Sequence, residues 1–211
     1  MEKQRVIVYV DGFNFYYGLK EKARQDQSWK KFYWLDFVKF FTSMLSDKQE
    51  LVRVNYFSAR PLDEQTSRRQ ELLFSANRVN PKFKLILGKY LRKEIRCNSC
   101  QGIIHSFEEK ETDVRLATQM VADVYNKRCD ITIIVTADSD IMPSVELIRE
   151  INPEHQIFVY FPPLRFSKNL ENSCNASRKL ANYKARFNQS MLPDAISLSN
   201  GYVLKRPDNW L

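Results

Sequence analysis

Two nearly unbroken apolar runs, Val6–Val10 (VIVYV) and Ile131–Val135 (ITIIV), limit what this chain can become more than any other feature, and Ile157–Phe161 (IFVYF) makes a third. A strand with one wet face alternates apolar and polar residues. A strand that is apolar throughout has both faces covered, as in a parallel sheet flanked by helices. Parallel neighbours need long crossovers, and the intervening segments supply them. GFNFYYGLKEKAR follows the first run, and a second helix is expected at about Leu35–Leu45, where Phe37, Val38, Phe40, Phe41, Met44 and Leu45 share a face. Further helices are predicted at Asp63–Asn77, Thr112–Tyr125 and Ile141–Ile151, the last with Ser139 or Asp140 as cap and Pro143 in its first turn. Leu51–Phe57 reads as a strand, and Phe83–Leu91 as another that runs on into a cysteine-bearing turn. After Phe161 the periodicity fades into Pro162-Pro163, a short helix near Asn175–Ala181 and an irregular tail. Strands and helices in this order predict an α/β fold with a central, mainly parallel sheet covered by helices on both faces. The expected division is a domain over 1–161, with a Cys-bearing hairpin insertion at about 92–107, and a basic C-terminal extension over 162–211 packed on it.

The chain is 44% apolar and 13% aromatic, enough for a real core and against disorder. No run approaches a membrane span, so no membrane partner is expected. The start, MEKQRVIVYVDG, enters a strand without the apolar stretch of a signal peptide. The four cysteines are accordingly read as thiols or metal ligands in a reducing cytoplasm. Net charge is +8 and unevenly placed. Lys and Arg crowd Arg78–Arg96 and the segment after Pro162, which leaves the remainder of the chain net acidic. An acidic centre in a basic surround suits a polyanion approaching a cation-bearing site; a solvated basic surface is the plainer alternative.

The acidic residues stand where the strands run out. VIVYV ends in Asp11-Gly12-Phe13-Asn14, and ITIIV runs through Thr136-Ala137 into Asp138-Ser139-Asp140. Ligands of parallel α/β sheets bind beyond the carboxyl ends of the strands, so these carboxylates are expected in one crevice. Asp113, after Glu111-Thr112, opens the helix that precedes the second run. Each acid alone is explicable as a helix cap or a first-turn residue. Together they repel unless a cation or a shared proton intervenes, and Mg²⁺ or Mn²⁺ suits oxygen donors of this kind. Ser139 could do the capping, which makes the second aspartate surplus to structure. Histidine acid–base chemistry is not expected, because His105 and His155 are the only histidines.

The pieces VIVYVDGFNFYYG, EEKETDVRLATQM and ITIIVTADSDIMPSVELI, in this order and spacing, resemble the NYN domain (LabA-like group) of the PIN-like nuclease superfamily, over roughly Arg5 to Phe161. The resemblance implies a PIN-like three-layer fold and a divalent-metal-dependent ribonuclease. It implies an acidic site of Asp11, Asp113, Asp138 and Asp140 holding Mg²⁺ or Mn²⁺, with Asn14 matching the asparagine of the first motif. It also implies hydrolysis of a phosphodiester by water activated on the metal. This chain departs from many relatives in carrying Glu111 where they have glycine; that acid either joins the site or faces solvent.

Cys97-Asn98-Ser99-Cys100 supplies half of a tetrahedral Zn²⁺ site, with His105 as the nearest third ligand; free thiols on a turn are the alternative. A partner subunit, as in a homodimer, could complete such a site. Arg60, Lys110, Arg165 and Lys168 are candidate nucleic-acid contacts, and Tyr16, Tyr17 and Phe166 candidate stacking residues. RNA is the expected partner, with DNA as the alternative in a toxin or defence nuclease. A non-catalytic RNA-binding or regulatory module is the remaining competitor.

Overall fold

In a computed structural model of the protein, residues 2–96, 100, 102–198 and 201–210 are described, apart from the side chains of residues 95, 104–106 and 108. The chain runs β1 (Gln4–Asp11), α1 (Gly12–Gln25), α2 (Phe37–Ser43), β2 (Gln49–Ser58), α3 (Glu64–Arg78), β3 (Phe83–Leu87), β4 (Lys89–Arg96) and β5 (Ile103–Lys110). It continues with α4 (Thr112–Tyr125), β6 (Ile131–Val135), α5 (Met142–Ile151), β7 (Gln156–Phe161), α6 (Lys168–Ser173), β8 (Ala176–Lys179), α7 (Lys184–Gln189), β9 (Ala195–Ser197) and β10 (Val203–Lys205). Six strands form one parallel sheet in the order β3-β2-β1-β6-β7-β8. The order reverses between β1 and β6. In doubly wound sheets a crevice opens there beyond the strand ends, because the crossovers on either side leave toward opposite faces.

Both faces are covered, as the apolar strands require. On one face Val6, Val8 and Val10 of β1, with Ile133 and Val135 of β6, pack under Phe15 and Leu19 of α1, Phe37 and Phe41 of α2, and Phe187 of α7. On the other, Ile7 and Tyr9 of β1 and Ile134 of β6 meet Leu116 and Met120 of α4 and Val145 and Ile148 of α5. The alternation of β1 side chains between the two layers follows from the period-two strand geometry. The result is the expected three-layer α/β fold. Among the described residues no helix is long and apolar enough to cross a membrane.

Three local expectations are corrected. The apolar stretch 83–91 is two strands, not one, because the chain breaks at Gly88. A Cβ there would lie 2.5 Å from Thr112 Oγ1 and 2.6 Å from Lys110 O, so only glycine lets the chain pass so close to the start of α4. Beyond it, β4 pairs antiparallel with β5 as a separate hairpin. The segment 175–181 is not a helix: β8 joins the sheet edge beside β7, and a 3-10 turn follows at Leu180–Tyr183. An edge strand can be recruited by main-chain pairing alone, and Ala-Ser-Arg-Lys carries no apolar signal for it. Finally, neither Ser139 nor Asp140 caps the turn before α5. Asp138 does, its carboxylate accepting from the Asp140 backbone N–H at 3.0 Å.

Candidate active site

The crevice between β1 and β6 is built from two strand-end turns locked to one another. Asp11 closes β1 and caps α1: one carboxylate oxygen accepts from the Asn14 backbone N–H and the other from the Thr136 hydroxyl, each at 2.9 Å. Thr136 Oγ1 in turn accepts from the Asp138 N–H at 3.0 Å, so one buried hydroxyl bridges the two turns. Asn14 Oδ1 accepts from the Ala137 N–H at 3.1 Å, a second strap between the same turns. Asn14 is therefore a positioning residue, returning its amide to the strand end as its place one turn into α1 suggests. Gly12 makes the turn feasible, since a Cβ there would come within 2.4 Å of Phe57 O.

The third acid arrives from the start of α4. Asp113 lies in the helix's first turn, where the dipole favours a carboxylate. Desolvation and the surrounding carboxylates of Asp11, Glu109, Asp138 and Asp140 nevertheless push it up to about 6. Asp11, 6% exposed, is also raised, by burial first and by Asp138 among its charges, against the pull of its bonds from Asn14 and Thr136. Asp138 and Asp140 face solvent. The aspartates selected from sequence are thus within mutual electrostatic reach on one edge of the sheet.

Glu109 was passed over in the sequence, and it belongs to this group. From the end of β5 it accepts the Thr112 backbone N–H at 3.0 Å and bonds the Thr112 hydroxyl, capping α4 beside Asp113. The only signal for it was its place in Glu108-Glu109-Lys110, where Lys110 alone stood out as a candidate contact. Thr136 was also missed as a role, although it lies in the quoted TADSD motif. Glu111 turns out not to share the crevice. Held in a left-handed conformation at φ 77°, it ion-pairs with Lys89 and with Arg115 at 2.7 Å, which hold its carboxyl below the usual range.

An all-oxygen donor set under mutual repulsion fits a hard divalent cation. Among the described residues no three His, Cys, Asp or Glu side chains are grouped as a ready-made metal cage. Mg²⁺ needs no such cage, since it keeps several waters and commonly takes one or two carboxylates. An ion there would be held by one or two of Asp11, Asp113, Asp138 and Asp140, with water completing its shell.

The remaining expected contacts scatter. Arg165 is paired with Glu21 at 2.9 Å, Lys168 with Glu171 at 2.8 Å, and Arg60 stands 3.7 Å from Glu71. Lys110 is exposed at the end of β5. Cys97 lies outside the described residues, as does the side chain of His105, while Cys100 is an exposed free thiol. Cys129 is buried in the layer under α4, and Cys174 packs against that layer.

A helix-flanked parallel α/β sheet with aspartates at its reversal point is the architecture of the PIN-like class, the nuclease-like fold. Within that class, the NYN domain model matches residues 5–181, and the chain belongs to the NYN domain family. A curated relative, 6-hydroxy-3-succinoylpyridine 3-monooxygenase HspA of Pseudomonas putida (strain DSM 28022 / S16), is 26% identical over 184 residues. The match covers 70% of this chain and 56% of that protein, so the chain spans little more than half the relative's length. A crystal structure of a protein of unknown function from Vibrio parahaemolyticus RIMD 2210633 shares the fold at 20% identity and a TM-score of 0.57, over 84% of this chain and 93% of that one.

Proposed function

We propose that the protein is a metal-dependent endoribonuclease that hydrolyses RNA phosphodiester bonds at this crevice. The observation that carries the reading is the placement of aspartates from three separate parts of the chain, the ends of β1 and β6 and the start of α4, at the reversal point of the sheet, where desolvation first and then the neighbouring carboxylates raise Asp113. Stability alone does not call for such crowding, because like charges disfavour one another. When bound, Mg²⁺ or Mn²⁺ would supply a lowered water pKa and charge compensation at the phosphate. The chain's own part is to hold and aim. Asp11 is fixed by two hydrogen bonds, and Thr136 and Asn14 keep the Asp11 and Asp138 turns in register. The chain's charge of +8 would draw a polyanion toward this acidic centre.

The test is cleavage of labelled RNA and DNA by wild type and by Asp138→Asn, with Mg²⁺, Mn²⁺ or EDTA. Cleavage of RNA in preference to DNA is expected. It should stop in EDTA and fall about 10²–10³-fold in the variant, the scale on which one electrostatic stabiliser matters. Activity unchanged in both EDTA and the variant would sink the reading.

A second reading follows from the Pseudomonas relative, whose name is that of a pyridine monooxygenase. An aromatic cavity beside the crevice favours it, because such a cavity would admit a heteroaromatic ring. Oxygen uptake dependent on a reductant and a hydroxypyridine would support that reading in place of hydrolysis.

A further inference from the structure

A cavity of about 420 Å³ opens on the face of the sheet that carries α1, within the size range of small-ligand sites. Its walls include Tyr16, Tyr17, Tyr33, Tyr56, Tyr90 and Trp210. Four of these rings form a chain: Tyr16 meets Tyr17 edge-on at 5.4 Å, Tyr33 lies 5.7 Å from Tyr16, and Trp210 lies 5.8 Å from Tyr33. The cations Lys20, Lys30 and Arg69 also line it, and among the described residues no carboxylate does. Gln70 is held by its amide bonds to Ser58 Oγ at 3.1 Å and Ala59 O at 3.4 Å, with Oε1 as its remaining acceptor.

The cavity adjoins the acidic crevice at two points. Gly12, next to Asp11, is part of its wall, and the Tyr56 hydroxyl donates to Gly12 O at 3.4 Å. Tyr90 of β4 lines the cavity, and its cross-strand partner in β5 is Glu109, so the hairpin joins the aromatic wall to the carboxylates. A flat ring with an anion attached fits this pairing of aromatic surface and cations. A nucleotide is such a ligand, since one ribose separates its base from its phosphate.

We propose that this cavity is a base-binding subsite, stacking one nucleobase of the substrate strand while the neighbouring phosphate lies at the carboxylate crevice. The inference rests on the nuclease reading above and adds to it where the strand is gripped. Stacking tolerates any base, so the subsite would favour an unpaired nucleotide over a particular sequence.

The experiment measures kcat/KM for cleavage of single-stranded RNAs in which each position in turn is made abasic, with the full-length protein, Tyr17→Ala and Trp210→Ala. Tyr17 is 48% exposed, so its truncation spares the core if the Trp210 variant proves unstable. In wild type, one abasic position close to the scissile bond is expected to lower kcat/KM about five- to hundredfold, the scale of one stacked base. In the variants that penalty should shrink toward unity, and a nucleoside monophosphate should inhibit wild type where ribose 5-phosphate does not. A flat abasic profile with cleavage intact overturns the subsite alone. Inhibition by a pyridine carboxylate but not by nucleotides also overturns it. Absence of cleavage with any divalent ion overturns the nuclease reading itself, and the subsite with it.

Discussion

Helix α4 carries a functional-looking aspartate near one end and a structural one near the other, and the protein treats them in opposite ways. Asp123, fully buried, receives Tyr9 Oη at 2.8 Å, Arg53 Nη2 at 2.7 Å, Gln119 Nε2 at 3.0 Å and Arg128 Nη1 at 2.9 Å. Burial alone would raise its carboxyl, but Arg128, Tyr9, Arg53 and Gln119 outweigh that and hold it below the ordinary value. Asp113, three helical turns earlier, is raised by partial desolvation and by the carboxylates of Asp11, Glu109, Asp138 and Asp140. A charge kept for stability is surrounded by donors. On the proposed reading, the crowded charge is the one a bound cation would neutralise.

The largest expected effect breaks the satisfied end. Asp123→Ala leaves Arg53 and Arg128 without their partner and Tyr9 without its acceptor. It should destabilise the fold by about 3–5 kcal/mol, as loss of one member of a buried ion pair does. Urea unfolding measures it, and a change under 1 kcal/mol would mean the cluster is not the anchor described.

A second effect tests the same edge of the sheet through pH. His155, 3% exposed and bonded to Thr132 Oγ1 at 2.9 Å, is lowered to about 4 by burial and by Arg149. As pH falls, the unfolded chain takes up this proton near 6.5 while the folded chain resists. The His155 contribution is therefore complete above that pH and is lost on the way down to about 4, at a cost of roughly 2–3 kcal/mol. Unfolding midpoints at pH 7.5 and 4.5 should differ less in His155→Gln than in wild type; equal differences would refute the assignment.

The smallest effect is at Asp113, and its sign is the opposite of that at Asp123. A carboxyl raised by folding contributes stability below about pH 4, and that contribution is gone once pH passes about 6. At pH 7.5 Asp113→Asn should raise Tm by about 1–2 °C, a modest gain because the group is exposed and screened, and the gain should vanish at pH 4. Mg²⁺ should raise Tm in wild type more than in the variant. In wild type its affinity should climb as pH rises through about 6, because the ligands must be deprotonated. A variant less stable than wild type at pH 7.5 would show that the crevice carboxylates are not in conflict.

The sequence displayed the acids unevenly. Asp11, Asp138 and Asp140 could be read because apolar strands end where they begin, and strand ends are where parallel sheets place their ligands. Glu109 could not. It reaches the crevice because the hairpin of β4 and β5 delivers Lys110 and Glu111 to the start of α4, a path set by the close approach at Gly88. Glu111, the more conspicuous acid, is drawn off by Lys89 across the hairpin and by Arg115 one helical turn on. Which of two nearby glutamates joins the site was a question of neighbours distant in the chain, and local pattern holds no record of them.

What the sequence determined by itself was the layered architecture and the sheet edge on which the aspartates gather. Unbroken apolar strands must be covered on both sides, and amphipathic helices between them can do that in few ways. The three aspartate positions follow from that geometry. Tertiary structure alone decided that Thr136 and Asn14 would clamp two turns together, that Glu109 would enter and Glu111 stay out, and that aromatic residues from α1, β2, β4 and the C-terminal segment would enclose one cavity. Those outcomes depend on contacts between residues far apart in sequence, where packing and desolvation outweigh any local preference.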